Sequence, residues 1–208
     1  MDVAITQRWL HAVAAAIDEH TDYLTQLDSA IGDADHGANM RRGWTAVVSA
    51  LVGFEPHTVG DVLTKAGATL ISSVGGASGP LYGSALRAMG KSLAHPAIDG
   101  PQLLAALTDG LVEIQRLGAA VVGDKTMVDA YAPAIIAFEH ELQRGGTLGS
   151  AATRAADAAE QGVRATTSLQ ARKGRASYLG ARSVGHPDPG AASTALMFRA
   201  LAEVVAGS

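Results

Sequence analysis

Breaks rich in Gly and Pro divide this 208-residue chain into about eight pieces, and nearly every piece reads as helix. Alanine, the strongest helix former, supplies about a fifth of the residues. Aromatics are only 4%, and the nearest strand candidates, residues 119–122 and 134–136, are too few for a sheet. The expected helices cover residues 5–28, 37–53, 58–73, 80–94, 101–118, 127–144, 148–170 and 191–205. Thr58 is placed to cap the third, Pro101 favours the first turn of the fifth, and Pro133 falls early enough in the sixth to be tolerated as a kink. No self-similarity at a period of about 20–50 residues is present, so a repeat solenoid is not expected. The sequence predicts an all-α chain, with residues 1–208 forming a single domain.

Composition excludes several function classes. With 48% apolar residues and a net charge of −4, the chain is too hydrophobic and too weakly charged for disorder. An acidic balance, 20 Asp+Glu against 16 Lys+Arg, argues against nucleic acid as a partner. No run approaches the roughly 20 apolar residues of a membrane span. Zero cysteines remove disulfides, thiolate zinc sites and cysteine nucleophiles, which is compatible with a reducing cytoplasm, the expected location. Ala12-Val13-Ala14 imitates a signal-peptidase site, but Arg8 and His11 interrupt the preceding stretch, so an amphipathic first helix is expected there.

The connections are not alike. Residues 54–57 and 95–100 are plain turns, whereas 28–39, 72–83, 118–129 and 171–190 are rich in Gly and in polar side chains. In an up-and-down arrangement alternate connections share an end, and these four follow the first, third, fifth and seventh helices. They are expected to gather at one rim.

Asp28, Asp33 and Asp35 make the first connection acidic. Three carboxylates in one pocket repel, by about 4 kcal/mol per pair at 4 Å and an effective dielectric of 20, unless a cation joins them. Oxygen ligands alone suit Mg²⁺ bridging a phosphate. A calcium EF-hand does not fit, because Gly37 stands where that loop needs an acidic or amide residue and no glutamate closes it. The competing reading is that these aspartates cap and solvate a loop. Gly37 opens the second helix, so free N–H groups and the helix dipole face the same place. Ser78, at another helix start after Gly75-Gly76, repeats the theme. Gly118 to Thr126 nearly spells a Walker A loop, but Asp124 intrudes before Lys125 and no parallel sheet is predicted. Lys125 is expected to pair with Asp124 or another acidic group, or else to lie at the surface. Residues 171–190 concentrate Arg and Lys, which suits a lid making phosphate contacts, docking of a phosphorylated partner, or a solvated basic loop.

Four stretches, Gly32-Asp33-Ala34-Asp35-His36-Gly37-Ala38-Asn39, the Ser72–Pro80 segment, Gly123-Asp124-Lys125-Thr126-Met127, and Ala171-Arg172-Lys173-Gly174-Arg175 continuing to Asp188-Pro189-Gly190, resemble the nucleotide-binding L subunit of dihydroxyacetone kinase. The resemblance runs essentially end to end. It implies an eight-helix antiparallel barrel with ADP or ATP at one rim. It also implies that Asp28, Asp33 and Asp35 bind a pair of Mg²⁺ ions. Nucleotide-contacting positions would be His36, Gly37, Ala38, Asn39, Ala77, Ser78, Gly118, Met127, Arg175, Asp188, Pro189 and Gly190; Gly118 is matched less closely because Ala-Ala-Val-Val fills the stretch after it. The implied partners are a histidine-phosphorylated carrier subunit of the phosphotransferase system, which converts resident ADP to ATP, and a K subunit holding dihydroxyacetone, with a transcription regulator as a further one. No catalytic base is expected here. Two alternatives remain open: a subunit of an ATP-dependent kinase for another small ketose, and a nucleotide-state sensor without chemistry.

Overall fold

The computed structural model describes residues 1–206. Among them are α1 (Val3–Glu19), α2 (Thr21–Ile31), α3 (His36–Leu51), α4 (Val59–Ser73), α5 (Ser78–Lys91), α6 (Gly100–Gly118), α7 (Val128–Gln143), α8 (Leu148–Thr166) and α9 (Pro189–Ala206). A 3-10 helix, Arg175–Ser183, lies between α8 and α9. The described residues hold no strand, only an isolated bridge between Asp2 and Ala97. No described helix is long and apolar enough to cross a membrane.

The all-α expectation holds, but the first expected helix is two. At His20 (φ −100°, ψ 14°) the backbone N–H donates to the Ala16 carbonyl at 3.0 Å, and the ring Nδ1 lies 2.8 Å from the same oxygen. Thr21 and Thr25 also bond back to carbonyls one turn earlier, a habit that bends helices. The helix expected to reach residue 170 ends at Thr166, and the basic loop after it is partly folded rather than irregular. The last helix starts at Pro189, a favoured first-turn residue, two positions before the expected start.

Packing runs in a closed order. From α3 to α9 each helix packs on the next, α1 packs on α3, and α9 returns onto α1; α2 lies against α3 and α9. Twelve of the 18 residues of α9 are buried, so it is apolar almost all round, as a helix with neighbours on several sides must be.

Small residues make these contacts possible. A Cβ on Gly67 would stand 2.4 Å from the Gly83 carbonyl oxygen, and one on Gly83 would stand 2.6 Å from that of Gly67. Gly60 and Gly90 repeat this reciprocity at 2.3 and 2.7 Å, so α4 and α5 touch backbone to backbone. Ala151, Ala152, Ala155, Ala156 and Ala159 bury one face of α8, and a Cβ on Gly162 would meet the Asp129 oxygen of α7 at 2.2 Å. That oxygen has no helical donor, because the residue four positions on is Pro133. Trp44, Tyr82, Phe138, Leu10 and Ile17 fill the wider spaces.

The two ends of the bundle are finished differently. Val3 N–H donates to Pro96 O, Gly60 N–H to Leu93 O and the N-terminal ammonium to Ile98 O, which brings the starts of α1, α4 and α6 together. Each of these starts carries its own cap: Asp2, the Thr58–Asp61 capping box and the Asp99–Gln102 capping box. Thr147 likewise caps α8. By contrast the N-cap residues of α3 and α5, Asp35 and Ala77, make no side-chain cap bond, and both helices begin at the other end.

Gly67→Ala should destabilise the fold by about 1–3 kcal/mol, because overpacking must separate two backbones. Gly149→Ala, in a helix with no atom within 3.6 Å of the added methyl, should stay within about 0.5 kcal/mol of the parent. Urea denaturation midpoints of the two variants check the difference.

Candidate functional site

Asp28 organises the acidic connection. It sits in the last turn of α2, 8% exposed, and its Oδ2 accepts from the N–H groups of Asp35 (2.9 Å) and His36 (3.1 Å). One carboxylate thus ends α2 and fixes the start of α3. Gly32 permits this, since a Cβ there would lie 2.0 Å from Asp28 Oδ1. Ala34 is left-handed (φ 62°), a conformation that costs about 1–2 kcal/mol for a residue with a Cβ. With the loop so folded, ligand oxygens of Asp28, Asp33 and Asp35 lie within 4.8 Å of one another. At that separation each pair repels by about 3–4 kcal/mol at an effective dielectric of 20. Arg175 Nε is 3.0 Å from Asp33 Oδ2 in an exposed pair that solvent screens. Three converging oxygens with so little countercharge are a donor set for a hard divalent cation.

The trio opens onto a cavity of about 320 Å³. All four unusual connections line it: Asp33 and Asp35 from the first, Gly75–Ser78 from the second, Gly118 and Lys125–Met127 from the third, Lys173–Ala176 and Asp188–Gly190 from the fourth. Their gathering at one rim is therefore observed. Of the residues singled out in the sequence, Asp28, Asp33, Asp35, His36, Asn39, Ala77, Ser78, Gly118, Met127, Arg175, Asp188, Pro189 and Gly190 line the cavity. Gly37 and Ala38 do not. Gly37 faces α2, where a Cβ would stand 2.2 Å from the Thr21 oxygen, so it can offer only its backbone.

That backbone matters because, past the His36 N–H that Asp28 accepts, early N–H groups of α3 and α5 are unspent. Asn39 and Leu81 make the first turns' bonds back to Asp35 and Ala77, and among the described residues no acceptor meets the N–H groups of Gly37, Ala38, Ser78 or Gly79. Two helix starts with free donors beside three carboxylates suit a metal-bound polyanion. The starts of α7 and α9 are closed instead. Val128 N–H donates to Thr126 Oγ1 (3.1 Å) and Asp129 N–H to the Thr126 carbonyl (3.0 Å), while Asp188 Oδ2 accepts from Ala191 N–H (2.7 Å).

A buried polar chain ties these segments together. His36 lies between Ser78 Oγ (3.3 Å to Nδ1) and Ser193 Oγ (3.0 Å to Nε2), and burial holds its pKa below the ordinary imidazole value. Ser193 Oγ is 2.8 Å from the Tyr82 hydroxyl, which is also 2.7 Å from Thr194 Oγ1 and 2.9 Å from the Gly190 carbonyl oxygen. Arg42 joins Asn39 Oδ1 (2.8 Å) to the Ser73 carbonyl, linking α3 to the end of α4.

Of the expected settings for Lys125, the surface, Asp124 or another acidic group, only the last is approached, through the charges of Asp188 and Asp129. It neither lies at the surface nor pairs with Asp124: it is 1% exposed and donates to the carbonyls of Thr166 and His186. Asp124 instead accepts from Val121 N–H at 3.0 Å and shapes its own turn. Reasoning from sequence also missed the apolar wall made by Ile31, Leu81, Ile114, Ala120 and Val128. Nothing in their spacing separates them from an ordinary core-facing stripe.

Burial pushes the Asp188 carboxyl up to about 7, with Lys125 and the Ala191 N–H opposing the shift. The folded protein thus binds more protons than the unfolded chain between the ordinary value of 3.8 and about 7, so this group's contribution to stability falls as pH rises through that window. Wild type should lose stability relative to Asp188→Asn across those pH values, read as diverging urea midpoints.

Comparison with known proteins places this geometry in a family. The DAK2 domain model matches residues 30–203. The ADP-binding subunit DhaL of the PTS-dependent dihydroxyacetone kinase of Lactococcus lactis is 45% identical over 206 residues, 99% of this chain and 100% of the relative. The ADP-binding subunit DhaL of the PEP-dependent dihydroxyacetone kinase of Escherichia coli is 40% identical over 205 residues, covering 97% of this chain and 98% of the relative. A crystal structure of the dihydroxyacetone kinase from C. freundii in complex with AMP-PNP and Mg²⁺ aligns with a TM-score of 0.75 at 27% identity, over 96% of this chain and 34% of that one. This chain thus spans about a third of that kinase and nearly the whole of the two subunits. The chain belongs to the DAK2 domain family, alongside the ADP-binding subunits of dihydroxyacetone kinases.

Proposed function

We propose that this chain is the ADP-binding subunit of a phosphoenolpyruvate-dependent dihydroxyacetone kinase, a phosphotransferase. The observation that carries the reading is the meeting of Asp28, Asp33 and Asp35 with the free N–H groups in the first turns of α3 and α5 at one cavity. The likeness to relatives so named, over nearly their full length, supports it.

In this reading the three aspartates hold Mg²⁺, which neutralises phosphate charge. The N–H groups of Gly37, Ala38, Ser78 and Gly79 donate to diphosphate oxygens, which give these early helix donors the acceptors they lack. His36, Asn39, Ala77, Gly118, Met127 and the Asp188–Gly190 segment contact the nucleotide, and the apolar wall takes the flat face of the base. Arg175, carried by the 3-10 loop and exposed, reaches the anionic end. The chemistry supplied is a relay: a histidine-phosphorylated carrier breaks its N–P bond to make ATP from ADP, and dihydroxyacetone on a K subunit then takes the γ-phosphate. Phosphoryl transfer asks mainly for positioning and charge neutralisation, both of which this rim offers. No residue here is assigned to deprotonate the acceptor.

Purified protein is expected to release ADP on heating. Asp33→Asn and Asp35→Asn should each abolish nucleotide retention while circular dichroism shows unchanged helix content. Mixed with phosphorylated carrier and K subunit, the wild type should pass labelled phosphate to dihydroxyacetone. Wild-type retention in both variants would return the aspartates to loop caps, and failure of the relay with nucleotide bound would remove the kinase role.

A further inference from the structure

Lys125 combines two features that a lysine does not adopt without cause. Its backbone is left-handed (φ 62°), and its side chain is withdrawn from water at 1% exposure. A buried ammonium must replace its hydration with fixed partners. The partners are the carbonyl of Thr166, the last residue of α8, at 2.6 Å, and the carbonyl of His186, two residues before Asp188. The carboxylates of Asp188 and Asp129 add opposite charge around it, although burial still draws its pKa below the ordinary lysine value.

The ammonium lies where three segments meet: the 118–129 connection, the end of α8 and the tail of the 171–190 connection. Three neutral hydrogen bonds join the same segments, Arg172 N–H to the Asp124 carbonyl at 3.0 Å, Gly185 N–H to the Thr167 carbonyl at 2.7 Å and Asp188 N–H to Thr166 Oγ1 at 2.9 Å. Just beyond these links, both chains become cavity wall. Met127 follows Lys125 by two residues, and its backbone nitrogen is 3.5 Å from where a Gly190 Cβ would stand. The aspartate trio comes from a different connection and has no bond to Lys125.

We infer that Lys125 is a positioning residue of the nucleotide site, its buried ammonium fastening the loop that carries Met127 to the segment that carries Asp188, Pro189 and Gly190 and so fixing the spacing between these two walls. The role in binding rests on the function proposed above, whereas the fastening does not.

Three proteins test this: wild type, Lys125→Met, which keeps the length without the charge, and Lys125→Ala, which leaves room for a small amine. ADP affinity in the presence of Mg²⁺ is measured by calorimetry, and amide exchange is measured across the chain. Both variants should bind ADP about tenfold or more weakly, with faster exchange confined to residues 118–129 and 171–190. Ethylammonium should restore ADP affinity to Lys125→Ala and do nothing for Lys125→Met, a rescue that lost packing alone would not show. If Lys125→Met does not fold, Lys125→Ala with and without the amine carries the test. Variants that bind ADP as wild type does, or an amine without effect, would overturn the inference. A wild type that binds no ADP would overturn the proposed function instead, and exchange in the two loops would then decide whether Lys125 fastens them.

Discussion

Helices built largely from alanine and glycine bury little apolar surface per residue, so they hold together only by coming very close. A buried methylene contributes about 0.8 kcal/mol, and an alanine has a single methyl to offer. The remainder must come from dense contact between backbones, which is why Gly60, Gly67, Gly83 and Gly90 face one another across α4 and α5. The alanine face of α8 does the same against its neighbours. Once these separations are fixed, the closed order of helices has little freedom, and the connections at the rim are set with it. The cavity is thus a consequence of packing several turns away.

Against that rigid wall, the rim is left electrically incomplete. At the far end Asp2, Thr58 and Asp99 satisfy the first N–H groups of their own helices. At the rim Gly37 and Ala38 of α3 and Ser78 and Gly79 of α5 keep theirs, while three carboxylates crowd together a few ångströms away. Positive helix ends and a negative cluster side by side describe the two parts of one guest, a cation and the anion it carries. Asp28 belongs to both halves, because the oxygen that accepts from Asp35 and His36 also fixes the direction of its carboxylate.

Much of this was legible in the sequence. Alternation of plain and Gly-rich connections located the rim, and Asp28, Asp33 and Asp35 stood out because charge at such density is rare without a reason. Helix starts expected at residues 37 and 80 fell within two positions of the observed ones. What stayed hidden depends on long-range geometry. The break at His20 follows from side chains folding back on their own helix, a choice no periodicity records. Lys125 could not be placed because its partners are main-chain carbonyls 41 and 61 residues away, and a carbonyl has no signature in sequence. The apolar wall was invisible for the opposite reason: Leu81 and Ile114 look like any other core positions.

The closing contact of the ring has a further consequence. His36 reaches Ser193 across 157 residues, and the rim needs both ends of the chain in place before it exists. A nascent or truncated polypeptide that lacks α9 would present the aspartates without the opposite wall. Whatever lodges there engages only finished molecules and, by mass action, favours them over every partly assembled form. Occupancy of the rim would then act as a clasp on the whole ring and as a report that folding is complete.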